Sequence, residues 1–409
     1  MLYYLIFSLI LLQIKRLPAV MKKTILILVA LFTLPIASTL KAADQGGIVT
    51  SIAKFVRKLG TTIDTMTVRG VDRNYIDAPE LPWQVILRGG MSQTDLRFSS
   101  TMHAKDFGMS TGEHLTWEPR IKNSPTTYAG VWVGYRGYGI GLSRNFGNNK
   151  GSILTLGATG GSYGINMRIH SFEESTPMVH LGGFYYDGDT DDLSNPVTVS
   201  ADNSFQLFSP IKVHTLTLDG YYFFNGKRFS YAAAYDQSVI QKRSAGSFMA
   251  GAMYHYSRVK YNDDYNADFI LFMNDIGIIK QWQASIGAGY AYNYVPCKGL
   301  LISALAMPLV TFYNRTKVWL YDSDYKQQFF SDDFDETDLF LDRHINEYST
   351  ASRHSHVTLN LDARLSLTYQ FDRFFFNAYG QFSRIPYKDA QVKGRFTDWY
   401  INASLGIRL

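Results

Sequence analysis

The segment Val357-Thr-Leu-Asn-Leu-Asp-Ala-Arg-Leu-Ser-Leu-Thr-Tyr-Gln-Phe371 alternates between apolar and polar side chains at every position. A period of two is that of a β-strand, in which successive side chains point to opposite faces of the sheet. Strands of soluble proteins are usually about 5–6 residues long, whereas a strand that crosses a bilayer needs about 9–11 tilted residues. This segment therefore predicts a transmembrane strand.

The same alternation recurs in several other segments: 83–88, 131–136, 138–143, 215–224, 248–256, 282–293 and 399–409. Asn225-Gly226 is a strong signal for a two-residue hairpin turn, so Arg228 to Asp236 is predicted as its returning strand. Asp372-Arg373 predicts a tight turn into a strand from Phe374 to Ile385. About a dozen segments carry such signals, and single-chain bacterial barrels have even strand numbers. We predict an all-β fold, a single antiparallel transmembrane β-barrel of 12 strands, with 10 and 14 as alternatives.

The amino-acid composition fits the wall of such a barrel. Charged residues make up 18% of the chain, below the ~25% of typical soluble proteins, while Tyr (28), Phe (27) and Gly (33) are abundant. A large soluble β-sandwich or propeller can share this composition. The net charge of +5 comes from five basic residues in the first 42, which contain no acid. The rest is formally neutral, which argues against a nucleic-acid partner.

The N-terminus predicts export. Residues 21–42 have the two lysines, the apolar stretch and the small residue of a secretory signal, with cleavage near Ala42. Residues 1–20 are predicted to be an upstream extension, with a membrane-anchoring segment as the alternative. Residues 43–82 are predicted as a short amphipathic helix and a linker, and 83–409 as the barrel. Since the chain has one cysteine, Cys297, no intramolecular disulfide can form.

Charged and polar side chains on the strand faces predict the lining of a lumen. These residues are Asp362, Arg364, Asp219, Arg136 and His255. In a dry core, unpaired charges would cost several kcal/mol, so a hydrated barrel interior suits them better. The alternative is a solvent-exposed sheet face.

Longer connections are predicted to be extracellular and short turns periplasmic. The long ones are 187–208, 262–280 and 314–352. The first begins with the acidic run 187–192, but an EF-hand would need Gly at Asp192 and Glu at Thr198; a surface calcium site or a solvated loop remain open. The third contains eight acids and several aromatics between Asp322 and Asp342, which predicts an ordered cap or plug, with ligand or cation binding as the alternative.

No catalytic motif stands out. His354 and His356 share a strand face, but no further metal ligand is spaced to join them. HExxH is absent from the sequence. We therefore expect no catalysis and no cofactor, although a hydrolase built from scattered Ser, His and Asp residues stays an alternative.

From about residue 60 onward the chain resembles the DUF4421 family of exported Bacteroidetes proteins. The resemblance is carried by Asp72-Arg-Asn-Tyr-Ile76, Trp83-Gln-Val85, Gly130-Val-Trp-Val-Gly-Tyr135 and Leu405-Gly-Ile-Arg-Leu409. It implies an outer-membrane-like barrel and supplies no activity or functional residues.

Together these observations predict a barrel in the outer membrane of a Gram-negative bacterium, either structural or a narrow or plugged channel. Its expected partners are outer-membrane lipid and the insertion machinery; no ligand is specified. The alternatives are a soluble exported β-rich binding module and an outer-membrane hydrolase.

Overall fold

A computed structural model describes residues 70–103, 112–122, 125–146, 150–185, 196–261, 269, 276–321, 345–354, 357–388 and 392–409. Gly70–Leu409 forms one compact unit. The predicted extension, signal peptide and amphipathic helix lie outside the described residues. No helix among those residues is long and apolar enough to span a membrane.

Eighteen strands and one helix make up the described unit. In chain order the strands are β1 (Ile76–Asp77), β2 (Trp83–His103), β3 (His114–Lys122), β4 (Thr126–Tyr135), β5 (Tyr138–Asn145), β6 (Gly151–Thr159), β7 (Tyr163–Glu174), β8 (Met178–Tyr185), β9 (Val197–Ser204), β10 (Ile211–Phe223), β11 (Ile240–Gln241), β12 (Ala245–Lys260), β13 (Ile276–Cys297), β14 (Leu300–Tyr321), β15 (Ile345–His354), β16 (Leu359–Phe371), β17 (Phe374–Lys388) and β18 (Val392–Arg408). Helix α1 (Tyr231–Tyr235) lies between β10 and β11.

Twelve of the strands close into a ring. Their order is β2-β4-β5-β6-β7-β10-β12-β13-β14-β16-β17-β18, and β18 pairs back onto β2 from Val392 opposite Ser100 to Arg408 opposite Gln84. Closure leaves no unpaired edge within the ring, which is what a sheet inside a lipid bilayer requires. The prediction of a 12-stranded antiparallel barrel is confirmed.

The two ends of the barrel differ. At one end, which we call the turn end, tight turns join neighbouring strands at Arg136–Gly137, Lys298–Gly299 and the predicted Asp372–Arg373. Gly137 and Gly299 have φ of 88° and 85°, a conformation that glycine adopts without a steric penalty. At the other, the loop end, β3, β8 and β9 extend the sheet from β2, and β15 pairs with the far part of β14.

Three stretches predicted as long connections contain strand residues. The stretch 187–208 holds β9, 262–280 holds the start of β13, and 314–352 holds the end of β14 and most of β15. These stretches are therefore not loops throughout, although β9 and β15 lie outside the ring. Strands that continue past the lipid need no apolar outer face, so the alternation that marks the wall is lost.

The predicted strand from Arg228 to Asp236 was also wrong, because this stretch contains α1 and the returning strand is β12. Ser230 caps the helix, accepting a hydrogen bond from Ala233 N at 3.2 Å, and three alanines follow, the best helix formers. Gly226 packs so closely on the β6–β7 turn that a Cβ there would lie 2.7 Å from Gly161 O.

Burial along the wall is the inverse of that in a soluble protein. On β16, Leu365 is 65% exposed on the outer face, whereas Asp362 and Arg364 on the inner face are 0% and 3% exposed. Exposed aromatics gather near the turn end on the outer face, at Tyr222, Phe224, Phe248, Tyr290, Tyr292, Tyr294, Tyr369, Phe371 and Phe374. An apolar outer band edged by aromatics is the surface that a membrane barrel presents to lipid.

Candidate functional site: a plugged and charged lumen

The connection between β10 and β12, residues 224–244, folds into the lumen at the turn end; we call it the plug. Tyr231 and the three alanines of α1 are at most 2% exposed. The Tyr231 ring stacks on Phe223 of β10 with centroids 5.4 Å apart. The short side chains of the alanines let the helix backbone approach the wall.

Wall side chains hold the plug by its main chain. Five of them donate hydrogen bonds to plug carbonyls: Gln84 Nε2 to Asp236 O (3.0 Å), Asn293 Nδ2 to Ser230 O (2.9 Å), Ser366 Oγ and Asn377 Nδ2 to Ala234 O (2.6 and 3.4 Å), and Arg408 Nη2 to Gln237 O (3.0 Å). These donors come from β2, β13, β16, β17 and β18, so wall strands on several sides of the ring contact the plug. Ala234 O, a carbonyl in the last turn of α1 that has no partner within the helix, is thereby satisfied.

Residues 72–77, just before the barrel, clasp the plug from outside; we call them the clasp. Its strand β1 pairs with β11 of the plug, Ile76 opposite Gln241 and Asp77 opposite Ile240. Asp72 N donates to Lys227 O at 2.8 Å, and the Arg228 guanidinium lies 5.1 Å from the Tyr75 ring. The Asp-Arg-Asn-Tyr-Ile stretch thus has a structural role at the plug.

A buried ionic network lies above the plug, centred on Arg364. Its guanidinium binds Asp219 Oδ2 at 2.7 Å, Asp362 Oδ2 at 3.2 Å and the Tyr231 hydroxyl at 2.7 Å. Tyr221 contacts the same guanidinium and donates to Asp362 Oδ2 at 2.7 Å. Because charges so deeply buried are tolerated only when paired and hydrogen-bonded, the network fixes these side chains and joins the plug to the wall.

Beside this network lies a cavity of about 100 Å³. A second ion pair, Arg168 with Asp398, lines it, and the Arg88 guanidinium lies 4.4 Å from the centroid of the Trp132 ring. Most of the other lining residues are polar or aromatic, among them Thr155, Asn166, Thr217, Tyr379, Tyr400 and Asn402. The cavity can hold water or a solute of a few heavy atoms.

The loop half of the lumen is filled differently, by apolar side chains that we call the apolar layer. Eight come from the wall, near the loop ends of their strands: Leu96, Phe172, Ile211, Val213, Val259, Ile279, Ile385 and Phe396. Leu207, Tyr261 and Phe269 join them from the connections. All are at most 6% exposed, so this layer is shielded from solvent.

The structure brings three of the five predicted lumen residues, Asp219, Asp362 and Arg364, into the single network described above. His255 is also buried inside, 4.5 Å from the Phe396 ring and 3.2 Å from Thr217 Oγ1. Arg136 is not in the lumen, because β4 ends at Tyr135 and Arg136 enters the turn, where Nη1 donates to Pro79 O at 3.0 Å.

Sequence reasoning missed the plug and the second ion pair. Arg88 was visible in the alternation of the first wall segment but carried no sign of a role. Arg168 lies on β7, whose inner face mixes glycine, polar and aromatic side chains and so lacks a clear alternation.

Among the described residues, no group of three or more His, Cys, Asp and Glu side chains could hold a metal ion. The predicted calcium run at 187–192 and the acidic stretch at 322–342 lie outside the described residues, as do the side chains of His354 and His356. Cys297 is a free, exposed thiol.

A closed ring, an apolar outer band and a filled polar interior define the class: an outer-membrane type β-barrel. The model of the family DUF4421, described as "Domain of unknown function", matches residues 71–405. The chain belongs to this family, as its sequence motifs indicated. No curated protein matches it.

Several solved structures are similar at low identity. The outer membrane protease OmpT of Escherichia coli is 8% identical, with 80% of this chain and 97% of that chain covered and a TM-score of 0.35. The translocator domain of the autotransporter NalP of Neisseria meningitidis is 9% identical (88% and 98% covered, TM-score 0.30). The toluene transporter TodX of P. putida is 8% identical (81% and 91%, TM-score 0.26). At these TM-scores the likenesses carry no argument about this chain.

Proposed function

We propose that this protein is an outer-membrane channel with two gates in series, and that the described conformation is the occluded one. The plug is the gate at the turn end, which faces the periplasm, and the apolar layer is the gate at the loop end, which faces outward. The supporting observation is the cavity between them, which is lined by residues of both gates and by two buried ion pairs. A barrel that served only as a scaffold would gain nothing from buried ion pairs beside a cavity, because such pairs are seldom more stable than apolar packing.

The two gates can be removed separately. In the plug deletion, residues 226–246 are replaced by Asn-Gly, because Phe223 lies opposite Met249 and the same register places Asn225 opposite Ser247, as a two-residue turn requires. In the layer variant, Phe172, Val213 and Ile385 are replaced by serine.

Conductance in planar bilayers tests the proposal. We expect the parent protein and both single-gate variants to be nearly silent, and the combined variant to give discrete conductance steps. Leu367→Ser on the outer face is the matched control and should stay silent. Heat-modifiable migration on gels reports folding of each variant. A folded, inserted combined variant that conducts no current contradicts the proposal.

A second candidate is a barrel that displays a loop-end sheet. The observation that favours it is the continuation of β2 and β14 into β3, β8, β9 and β15 beyond the ring. A silent combined variant would support this scaffold role. The hydrolase alternative is tested separately, by adding ester and peptide substrates to the purified protein; absence of turnover removes it.

A further inference from the structure

Arg88 differs from the other arginines of the lumen. Arg364 and Arg168 form ion pairs with aspartates, and Arg408 donates to Gln237 O and Gln370 Oε1. Among the described carboxylates, none forms an ion pair with Arg88, and its guanidinium donates no hydrogen bond to a described protein group. Its close partner is the face of Trp132. A cation–π contact of this kind is worth about 0.5–2 kcal/mol, far less than the cost of removing a charge from water.

The acids around the cavity are occupied elsewhere. Asp219 is bound to Arg364, and Asp398 is bound to Arg168. Asp236 of the plug accepts a hydrogen bond from Thr159 Oγ1 at 3.4 Å. Burial raises the pKa of the Asp236 carboxyl, and the charge of Arg88 opposes that rise without an ion pair between the two groups. Arg88 is therefore left with donor capacity that the protein does not use.

The space beside Arg88 suits a small acceptor. The cavity measures about 100 Å³, equivalent to about three water molecules at ~30 Å³ each. A guanidinium presents its N–H groups as a planar fork that matches two oxygens of a carboxylate, sulfate or phosphate. Asn402 lines the same cavity and offers further donors.

We propose that Arg88 binds a small oxyanion in the cavity between the plug and the apolar layer. This proposal names the class of solute for the proposed channel, and it rests on the proposed function for the idea of a solute pathway. The binding itself belongs to the closed protein and does not require that the barrel conduct.

Two titrations test the site in the detergent-solubilised protein, one with sodium formate and one with sodium sulfate. Sodium chloride keeps the ionic strength constant, and samples are equilibrated overnight. Tryptophan fluorescence is the first readout, because Trp132 stacks on Arg88; Trp132→Phe identifies its share of the signal. The thermal unfolding temperature is the second. We expect a saturable change with formate, with sulfate or with both.

Variants assign the effect to Arg88. Arg88→Gln should weaken binding roughly tenfold or more, since it removes a charge-assisted hydrogen bond. The affinity of Arg88→Lys should lie between those of the parent and Arg88→Gln, because lysine keeps the charge but lacks the planar pair of N–H groups. The matched control is Arg144→Gln, at an exposed position of β5, which should titrate like the parent. No saturable change in the parent, or an equal change in Arg88→Gln, overturns the proposal. Neither result depends on conductance, so the oxyanion site and the channel can fail separately.

Discussion

The two halves of the lumen are closed by different means, although the same inward alternation of side chains builds both. In the turn half, an inserted segment is held by directional hydrogen bonds to its main chain and by the Arg364 network. In the loop half, apolar side chains of the wall itself pack together as part of the buried cluster inside the barrel. Directional hydrogen bonds specify one arrangement of the side chains, whereas apolar side chains can pack together in many arrangements.

This difference predicts how each half responds to damage. Removing one partner of a buried ionic network leaves the other partner as an uncompensated buried charge. Removing part of an apolar side chain leaves a cavity whose cost depends on how far the neighbours relax. The polar half should therefore be the more sensitive to single substitutions.

The largest effect is expected at Arg364. Arg364→Met leaves Asp219 and Asp362 buried without their cation and should lower the free energy of unfolding by about 3–5 kcal/mol. Urea unfolding in lipid vesicles, followed by tryptophan fluorescence, measures the loss. Adding Asp219→Asn and Asp362→Asn to the same chain should restore most of it. A single variant as stable as the parent would mean that the network does not hold the polar half together.

A pair of positions on β17 compares the halves directly. Ile385→Ala in the apolar layer should cost about 2–5 kcal/mol. Ser383→Ala, two residues away on the same inner face, removes one hydroxyl that lies 3.4 Å from Asp362 Oδ1 and should cost only about 0.5–1.5 kcal/mol. The same unfolding assay ranks the two variants. Equal losses of unfolding free energy would show that the two halves do not differ in this way on β17.

The outer face gives a third comparison, because its apolar residues face lipid. Leu365→Arg should cost about 2–4 kcal/mol near the middle of the bilayer. Val357→Arg, before the start of β16, is the matched control and should cost about 0–1 kcal/mol. A larger penalty at Val357 than at Leu365 would place the lipid band elsewhere on the wall.

The smallest effect is expected in the plug. Ser230→Ala removes the cap of α1, worth about 1 kcal/mol, and should increase local opening of the plug without lowering barrel stability by more than that. Hydrogen exchange of the amides in 231–235 measures the opening. Ser230→Thr keeps the hydroxyl and serves as the control. Unchanged exchange in Ser230→Ala would show that the wall contacts alone set the position of the helix.

The wall could be predicted from the sequence because its signal is local. A period of two places Asp362 and Arg364 on one face of β16, and burial follows once the outer face is apolar. The contact between Arg364 and Asp219 could not be predicted, since 145 residues separate them and only ring closure brings them together. Arg136 was assigned to the lumen because it continues the alternation of apolar and polar residues in β4. Nothing in the neighbouring sequence shows that the strand ends one residue earlier.

The plug could not be predicted for a related reason. Asn225-Gly226 followed by a mixed stretch satisfies the rules for a hairpin, and helix signals such as Ser230 before three alanines are too short to outweigh them. The register decides the matter, because Phe223 pairs with Met249 and leaves the residues between them without a place in the wall. Pairing of that kind depends on the whole sheet.

The junction of the first and last wall strands has a consequence for the design of the chain. Trp83 N donates to Leu409 O at 3.1 Å, and Leu409 N donates to Trp83 O at 2.9 Å, so the two strands meet like any other hairpin neighbours. A circular permutant in which Leu409 leads through the clasp into β2, with new termini at the Asp372–Arg373 turn, should build the same ring. The ring of strands would then form irrespective of which exposed turn carries the chain termini.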